Sequence, residues 1–203
     1  MCSSDLRLRA MALEPDIFEP WSVPGIEAHP GWWPGLDYTD RPNVVARWAG
    51  SGGGRSLILN GHIDVVPAGD RSLWTHDPYG AEVVGSRIYG RGTADQKIGI
   101  AAMIMAVACL KAIGIRPAGD VILESVVNEE LGGYNGTLAC CVKGYTADAA
   151  VVVCRVPNTR WPVSAAVSAS RIVSRSRNSP TRMMSGSSRR ADRRASVKLR
   201  VSL

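Results

Sequence analysis

Short apolar runs separated by turn residues recur along the chain, and they predict most of its strands. Runs of about four to eight apolar residues between such turns are typical of buried strands. They occur at 43–48, 57–66, 120–127 and 147–154. A further stretch, 82–89, has Gly85 and Ser86 in its middle and predicts a hairpin with these two residues at its tip.

One long apolar stretch and one shorter segment predict helices. Nearly every residue of 98–113 is apolar, most are good helix formers, and Gly114 follows. A helix that is apolar on all sides is a buried one, so we expect this helix to be covered on every side and packed against a sheet. Residues 136–142 predict a second helix. Strands that alternate with helices at this spacing favour an α/β layered fold with a central, mostly parallel sheet.

Two segments near the N-terminus give little periodic signal. Residues 1–9 show no usable pattern, and residues 14–40 are rich in proline, glycine and tryptophan. We interpret 14–40 as an irregular surface segment that packs its aromatic rings on the body of the protein.

The charge of the chain changes sign near residue 155. Residues 1–154 hold 12 Lys and Arg against 17 Asp and Glu, a net charge of −5. Residues 155–203 hold 12 Lys and Arg but one acid, Asp192, a net charge of +11, and they contain 11 serines. We therefore divide the chain into a mildly acidic body, 1–154, and a basic Ser- and Arg-rich tail, 155–203.

The cysteines and the apolar segments bear on the cellular compartment. The chain has five cysteines, and no two of them have the C-x-x-C spacing of a zinc or redox site. We expect Cys109 and Cys154 to be buried free thiols, which suits a reducing cytoplasm. The N-terminus lacks the apolar core of a secretory signal, and the longest uncharged apolar stretch, 98–110, is shorter than a bilayer span. These features predict a cytoplasmic protein without a membrane anchor.

Polar side chains at the ends of the predicted strands are the candidates for chemistry. His62 and Asp64 leave the central strand on the same face, because side chains alternate along a strand. A carboxylate beside an imidazole commonly fixes the ring so that its other nitrogen can bind a metal. Glu129 and Glu130 follow a later strand, and Asp95 precedes the long helix. Ligands of α/β sheets bind at the carboxyl ends of the strands, so we expect these side chains to share one edge of the sheet.

Each of these residues also has an ordinary structural interpretation. His62 and Asp64 are then an exposed polar pair at a strand end, Asp95 is a helix cap, and the glutamates form a solvated turn. Taken together, one histidine, one aspartate and one glutamate make a suitable N and O ligand set for zinc or a similar divalent ion. The second glutamate is then free to take a proton from water. A metal-free carboxylate dyad is the competing arrangement.

Three sequence blocks resemble those of a known enzyme family. They are GHIDVVP at 61–67, GRGTADQK at 90–97, and the pair Glu129 and Glu130. In order and spacing they resemble the acetylornithine deacetylase, succinyl-diaminopimelate desuccinylase, carboxypeptidase G and aminoacylase family of co-catalytic zinc metallohydrolases. The resemblance, which includes 74–80, covers about 14–153. It implies a three-layer α/β catalytic domain of the zinc-exopeptidase type.

The resemblance implies a role for each candidate residue. His62 would bind one metal, and Asp64 would orient His62. Asp95 would bridge two metals, Glu130 would bind the other metal, and Glu129 would be the general base. The implied cofactor is Zn²⁺, two ions in the family, with Co²⁺ as an alternative. The implied reaction is hydrolysis of an amide in an N-acyl amino acid or a small peptide.

The chain departs from the family pattern after residue 154. The family supplies a further carboxylate ligand after this strand, whereas here Arg155 follows and the next acid after Asp148 is Asp192. The family also supplies a late histidine ligand, but no histidine follows His76. The lid and dimerisation domain is absent. We therefore expect 1–154 to be the N-terminal part of a truncated metallohydrolase domain that binds one metal ion or none and is weakly active or inactive.

Two interpretations of the tail remain open. A run of Arg and Ser without periodicity, beginning inside a motif, is what a shifted reading frame in a GC-rich coding sequence produces, and such a segment is disordered. The alternative is a non-catalytic protein whose basic tail binds nucleic acid or anionic surfaces. No aromatic residue follows Trp161 to stack on bases. We therefore expect a small-molecule substrate as the partner, rather than a membrane or nucleic acid. The family is often homodimeric, but the dimerisation domain is missing here.

Overall fold

A computed structural model describes residues 3–130, 134–152 and 171–174, which form one mixed sheet with helices on both faces and a separate hairpin. The helices are α1 (Ser3–Ala10), α2 (Ile98–Ala112) and α3 (Asn135–Lys143). The strands are β1 (Pro15–Phe18), β2 (Asn43–Trp48), β3 (Leu57–His62), β4 (Glu82–Val84), β5 (Arg87–Tyr89), β6 (Val121–Val126), β7 (Ala149–Val152) and β8 (Arg171–Ser174).

The main sheet has a parallel centre and antiparallel margins. Its strand order is β1-β2-β6-β3-β7-β8. β3 is parallel to both β6 and β7, while β2 is antiparallel to β6, β1 to β2, and β8 to β7. In this register His62 lies opposite Val126, so β3 and β6 end side by side at one edge. The predicted α/β fold with a parallel core is confirmed, and β1 and β8 are additions at its margins.

Two apolar clusters on opposite faces of the sheet make three layers. Alternation along each strand sends neighbouring side chains to opposite sides, so Leu123 and Ile122 of β6 belong to different clusters. On one face α1 and α2 contribute the buried residues Leu8, Ile100, Met103, Ile104 and Val107. On the other face α3 contributes Ala139 and Cys140. The three-layer architecture therefore agrees with the fold expected from the sequence.

Only one side of α2 is buried, which corrects the prediction of a helix covered all round. Its buried residues are Ile100, Met103, Ile104 and Val107, the helical spacing of a single face. Large apolar side chains on its outer side remain exposed, namely Ile98, Met105 and Leu110. Cys109 is also exposed, so the prediction that its thiol is buried is wrong. In a three-layer arrangement the sheet covers only the inner side of an outer helix, and the described residues leave Ile98, Met105 and Leu110 on the outer side of α2 exposed.

The segment that contains α2 is long and apolar enough to cross a bilayer by length and composition alone. This segment, Thr93–Ala112, joins α2 to the turn before it. Asp95 and Gln96 in that turn have non-helical backbone angles, so the regular helix has 15 residues. Its inner side packs on the sheet, which is the packing of a core helix.

The N-terminal segments contain more regular structure than the sequence predicts. Residues that gave no signal form α1, which buries Leu8 and pairs Arg9 with Asp5 at 2.6 Å. Within 14–40, β1 precedes two short 3₁₀ turns, Pro20–Ser22 and Ile26–Ala28. Of the tryptophans in this segment, Trp32 packs on the cluster that contains Val45 and Ile122, as predicted. Trp21 and Trp33 are exposed, and the Trp21 and Trp32 rings each contact Tyr38 within the segment itself.

Most of the remaining predicted elements are present in the structure, and the others lie outside the described residues. The strands at 43–48, 57–66, 120–127 and 147–154 correspond to β2, β3, β6 and β7, the hairpin to β4 and β5, and the second helix to α3. Cys154 and most of the tail lie outside the described residues. The division of the chain at 154 and 155 therefore stays a prediction, with 171–174 the described part of the tail.

Candidate metal centre

Three of the predicted ligands meet at the carboxyl edge of the central strands. His62 is the last residue of β3, Asp95 lies in the turn before α2, and Glu130 lies just beyond β6. One ligand atom from each of these side chains lies within 4.8 Å of those from the other two. Elsewhere in the described ranges, no second group of three His, Cys, Asp or Glu side chains meets in this way.

The donor atoms of this group suit a small divalent cation. Zinc binds histidine nitrogen and carboxylate oxygen at about 2.0–2.2 Å, which places two such ligand atoms roughly 3–4 Å apart. Nε2 of His62 lies 3.2 Å from Oδ1 of Asp95. His62, Asp95 and Glu130 are therefore the residues that fit such an ion.

Asp64 fixes the imidazole ring of His62. The ring Nδ1 lies 3.1 Å from the backbone oxygen of Asp64 and 3.5 Å from its Oδ1. Nε2 then faces Asp95 at 3.2 Å and Oε2 of Glu129 at 3.6 Å. The His62 side chain is buried, with 2% of its surface exposed. A metal-binding histidine usually has one ring nitrogen hydrogen-bonded to an oxygen, which turns the other nitrogen toward the metal. His62 has this geometry, with Nε2 directed at carboxylates.

The carboxylate of Asp64 also holds the backbone of the two glutamates. Its Oδ2 accepts the backbone N–H of Glu129 at 3.0 Å and that of Glu130 at 3.1 Å. Burial raises the pKa of Asp64, but the hydrogen bonds from His62, Glu130 and Glu129 outweigh burial and hold this pKa below its ordinary value. Asp64 therefore stays charged and joins the histidine to the glutamate turn. The sequence predicts the contact of Asp64 with His62 but not its hydrogen bonds to the backbone of the glutamates.

The charges of the site favour a cation at its centre. Burial lowers the pKa of His62, but hydrogen bonds to Asp64 and the charges of Asp64 and Glu129 outweigh burial and raise this pKa to about 9. Burial, together with the charge of Asp95, raises the pKa of Glu130. Four carboxylates around one imidazole thus stabilise a positive charge among them.

Two glycines allow the turn before α2 to approach β3 closely. A Cβ on Gly61 would lie 2.6 Å from Oε1 of Gln96, and a Cβ on Gly92 would lie 2.5 Å from Cγ1 of Val65. Gly92 also has φ +81°, a conformation that favours glycine. This close approach is what places Asp95 beside His62.

The positions of the acidic residues differ from those of a helix cap and an exposed turn. The N-cap position of α2 is occupied by Lys97 rather than Asp95. No side chain forms a capping hydrogen bond at this end of the helix. Glu129 and Glu130 are half-buried and face the site rather than forming an exposed turn.

Asn128, which directly precedes the glutamates, is a residue that the sequence reasoning missed. Its side chain is 5% exposed, and its backbone has φ +63°, in the left-handed region. Asparagine is enriched in that region, so an asparagine between a strand and a pair of glutamates was the available signal.

Comparison with known protein families identifies relatives of this chain. The family model of peptidase family M20/M25/M40 matches residues 58–193. The chain is 49% identical over 117 residues to the N-formyl-4-amino-5-aminomethyl-2-methylpyrimidine deformylase of Halalkalibacterium halodurans, covering 57% of this chain and 27% of that protein. It is 38% identical over 127 residues to the succinyl-diaminopimelate desuccinylase of Cereibacter sphaeroides, covering 63% of this chain and 33% of that protein. The chain thus spans no more than a third of these relatives at the matched positions.

A solved structure shares the fold. The M20 family metallo-carboxypeptidase from Sulfolobus solfataricus matches with a TM-score of 0.56 at 20% identity, over 73% of this chain and 30% of that one. At this identity the likeness supports the fold alone. The described chain therefore has the α/β architecture of part of that enzyme.

Proposed function

The chain belongs to peptidase family M20/M25/M40, and on that premise we propose that its body is the metal-binding part of a hydrolase that cleaves linear amides. The observation that carries this proposal is the convergence of His62, Asp95 and Glu130 within 4.8 Å, at the edge where β3 and β6 end. Glu129 lies beside this group, with Oε2 3.6 Å from the imidazole of His62.

The roles that we propose follow from these positions. Nε2 of His62 and the carboxylates of Asp95 and Glu130 would hold a divalent ion, with Zn²⁺ as the cofactor and Co²⁺ as its alternative. When bound, such an ion supplies Lewis-acid polarisation of the substrate carbonyl. Glu129 would take a proton from the attacking water and return it to the leaving amine. Asp64 would hold the His62 ring and the glutamate turn in position relative to each other.

The substrate class that we propose is an N-acyl amino acid or a small peptide. The names of two relatives, a deformylase and a desuccinylase, support the removal of an acyl group from nitrogen. A cytoplasmic location is proposed with it, because Cys109, Cys140 and Cys141 are free thiols. No observation on the described residues favours the alternative of a nucleic-acid-binding tail.

We further propose that this chain holds one metal ion rather than two. Among the described residues, His62, Asp95 and Glu130 are the one group of three His, Cys, Asp or Glu side chains whose ligand atoms meet. This group supplies one set of ligands.

Hydrolysis assays on the purified chain test this proposal. The chain, supplied with Zn²⁺ or Co²⁺, is incubated with N-formyl, N-acetyl and N-succinyl amino acids, alongside Glu129→Gln and the surface control Glu27→Gln. We expect hydrolysis that Glu27→Gln retains and Glu129→Gln loses, while both variants still bind metal. Hydrolysis that is unchanged in Glu129→Gln would overturn the role of Glu129, and a chain that binds no metal would overturn the metal site.

A further inference from the structure

Behind the two glutamates, three buried polar side chains form a chain of hydrogen bonds. Nδ2 of Asn135 donates to the hydroxyl of Tyr38 at 2.8 Å, and that hydroxyl donates to Oδ1 of Asn128 at 2.9 Å. The exposed fractions are 0% for Asn135, 2% for Tyr38 and 5% for Asn128. Water cannot readily replace hydrogen bonds at such depth, so losing one partner leaves another polar atom unsatisfied.

Asn128 sets the direction in which the chain leaves β6. Its φ of +63° lies in the left-handed region, which most residues avoid and asparagine tolerates. The next two residues, Glu129 and Glu130, then turn their backbone N–H groups toward Asp64. A fixed Asn128 therefore fixes where both glutamate side chains begin.

The adjoining residue, Val127, is held by a separate contact. Oδ1 of Asn43 accepts its backbone N–H at 3.1 Å, and Nδ2 of Asn43 donates to the backbone oxygen of Gly136 at 2.7 Å. A Cβ on Gly136 would lie 2.0 Å from the oxygen of Val127, so α3 begins directly against the end of β6. Directly before the glutamates, the contact that holds the chain is therefore the one between the Asn128 side chain and Tyr38.

Tyr38 is itself held firmly by the irregular segment around it. Its ring meets Trp21 edge-on with a centroid distance of 5.6 Å, and Trp32 lies at 5.9 Å. Asn135 also exchanges two hydrogen bonds with the backbone of Trp33, at 2.9 and 2.7 Å. Burial raises the pKa of Tyr38, so its hydroxyl keeps the proton that it donates to Asn128.

We propose that Tyr38 is a positioning residue of the metal centre, which acts through Asn128 to hold the glutamate turn that Asp64 also contacts. Tyr38 reaches the glutamate turn through Asn128, whose Oδ1 accepts its hydroxyl proton at 2.9 Å. Its effect is to keep Glu130 within reach of the ion that His62 and Asp95 would share. This inference rests on the proposed function, because it assigns a partner to a metal site.

Cobalt binding by the full 203-residue chain tests the inference. Co²⁺ is titrated into the metal-free wild type, Tyr38→Phe and Tyr145→Phe, and the visible absorption of bound Co²⁺ reports both affinity and ligand geometry. Tyr145→Phe is the matched control, because it also removes a hydroxyl that donates to a side-chain oxygen, here the carboxylate of Asp16. Groups that orient metal ligands typically contribute about 10- to 100-fold in affinity, so we expect Tyr38→Phe to bind Co²⁺ about tenfold more weakly with an altered spectrum. Tyr145→Phe should match the wild type.

A second variant separates the side chain of Asn128 from its backbone. Glycine accepts the left-handed conformation, so Asn128→Gly keeps the turn allowed but removes the contact with Tyr38. We expect Asn128→Gly to weaken Co²⁺ binding as Tyr38→Phe does, and the double variant to lose little more, since both break one contact.

The outcomes distinguish the inference from the function on which it rests. If the wild type binds Co²⁺ and either single variant binds it equally well with the same spectrum, the positioning role is overturned and the metal site stands. If the wild type binds no Co²⁺, the metal site fails and the positioning role fails with it. An equal loss of affinity in Tyr145→Phe would also overturn the inference, because it would show a general effect of stability.

Discussion

Asp64 accepts the backbone N–H of Glu130 at 3.1 Å, and through this bond one carboxylate links the end of β3 to the turn after β6. The same carboxylate lies 3.5 Å from the ring of His62. Two candidate ligands that are 68 positions apart in the chain, His62 and Glu130, therefore share one support. A displacement of Asp64 would move both of them at once.

Replacing Asp64 by asparagine should weaken metal binding while leaving the fold intact. The amide side chain would keep one acceptor oxygen but lose the charge that orients the imidazole. Loss of such a group typically costs about 10- to 100-fold in affinity, which calorimetric titration with Zn²⁺ would measure. Asp70→Asn is the matched control, because Asp70 also accepts a backbone N–H, from Ser72 at 2.9 Å, away from the site. Equal zinc affinity in Asp64→Asn and Asp70→Asn would contradict this role.

Glu124 should make the stability of the fold fall as the pH rises. Its side chain is buried, and burial raises its pKa from 4.5 to about 7, a shift that the hydrogen bond from Asn60 only partly offsets. Below pH 4.5 the carboxyl is neutral in both the folded and the unfolded chain, so its burial does not lower the free energy of unfolding there. Between pH 4.5 and 7 the unfolded chain ionises first, and the free energy of unfolding falls with each step in pH.

Urea unfolding at pH 5 and pH 8 measures this effect. A pKa shift costs about 1.4 kcal/mol per unit, so between these two pH values Glu124 should lower the free energy of unfolding by roughly 2–3 kcal/mol. Glu124→Gln should remove that part of the pH dependence, whereas the exposed Glu27→Gln should keep it. The same pH slope in Glu124→Gln and the wild type would show that Glu124 is ionised in the folded chain.

The cysteines should differ sharply in their reaction with a thiol reagent. Cys109 and Cys141 are exposed, whereas Cys140 is buried between α3 and the sheet, and burial raises the pKa of its thiol. The thiolate is the reactive form, so Cys140 should react only when the protein unfolds. Cys109→Ser should therefore remove one fast-reacting thiol from the folded chain, and Cys140→Ser should remove none. Fast labelling that is lost in Cys140→Ser would contradict the position of α3.

The sequence predicts those parts of the fold whose signal is local. β2, β3, β6 and the hairpin have their own apolar runs and turn residues, and the strand ends place the candidate ligands at one edge. α1 lacks such a signal because it is short and largely polar, and its stability comes from burying Leu8. The exposure of the outer side of α2 depends on which layers surround it, and composition does not reveal that.

Contacts between distant positions account for what the sequence does not reveal about the site. Tyr38 and Asn128 are 90 positions apart, and the bond between Asp64 and Glu130 spans 66. Only the folded sheet brings these residues together. The blocks around His62, Asp95 and Glu129 identify the candidate ligands and the support of His62 by Asp64. The contacts of Asp64 and Asn128 with the glutamate turn and with Tyr38 follow from the structure alone.

The zinc content of the purified chain tests the central claim most directly. The wild type, His62→Ala and His76→Ala are dialysed against Zn²⁺ and then against metal-free buffer, and the bound zinc is measured by atomic emission. His76 is the matched control, because it pairs with Glu82 at 2.8 Å and stacks on Tyr89 outside the site. A single His, Asp and Glu set predicts about one zinc ion per chain in the wild type and in His76→Ala, and far less in His62→Ala. Zinc retained by His62→Ala at the wild-type level would contradict the claim that His62, Asp95 and Glu130 form the metal centre.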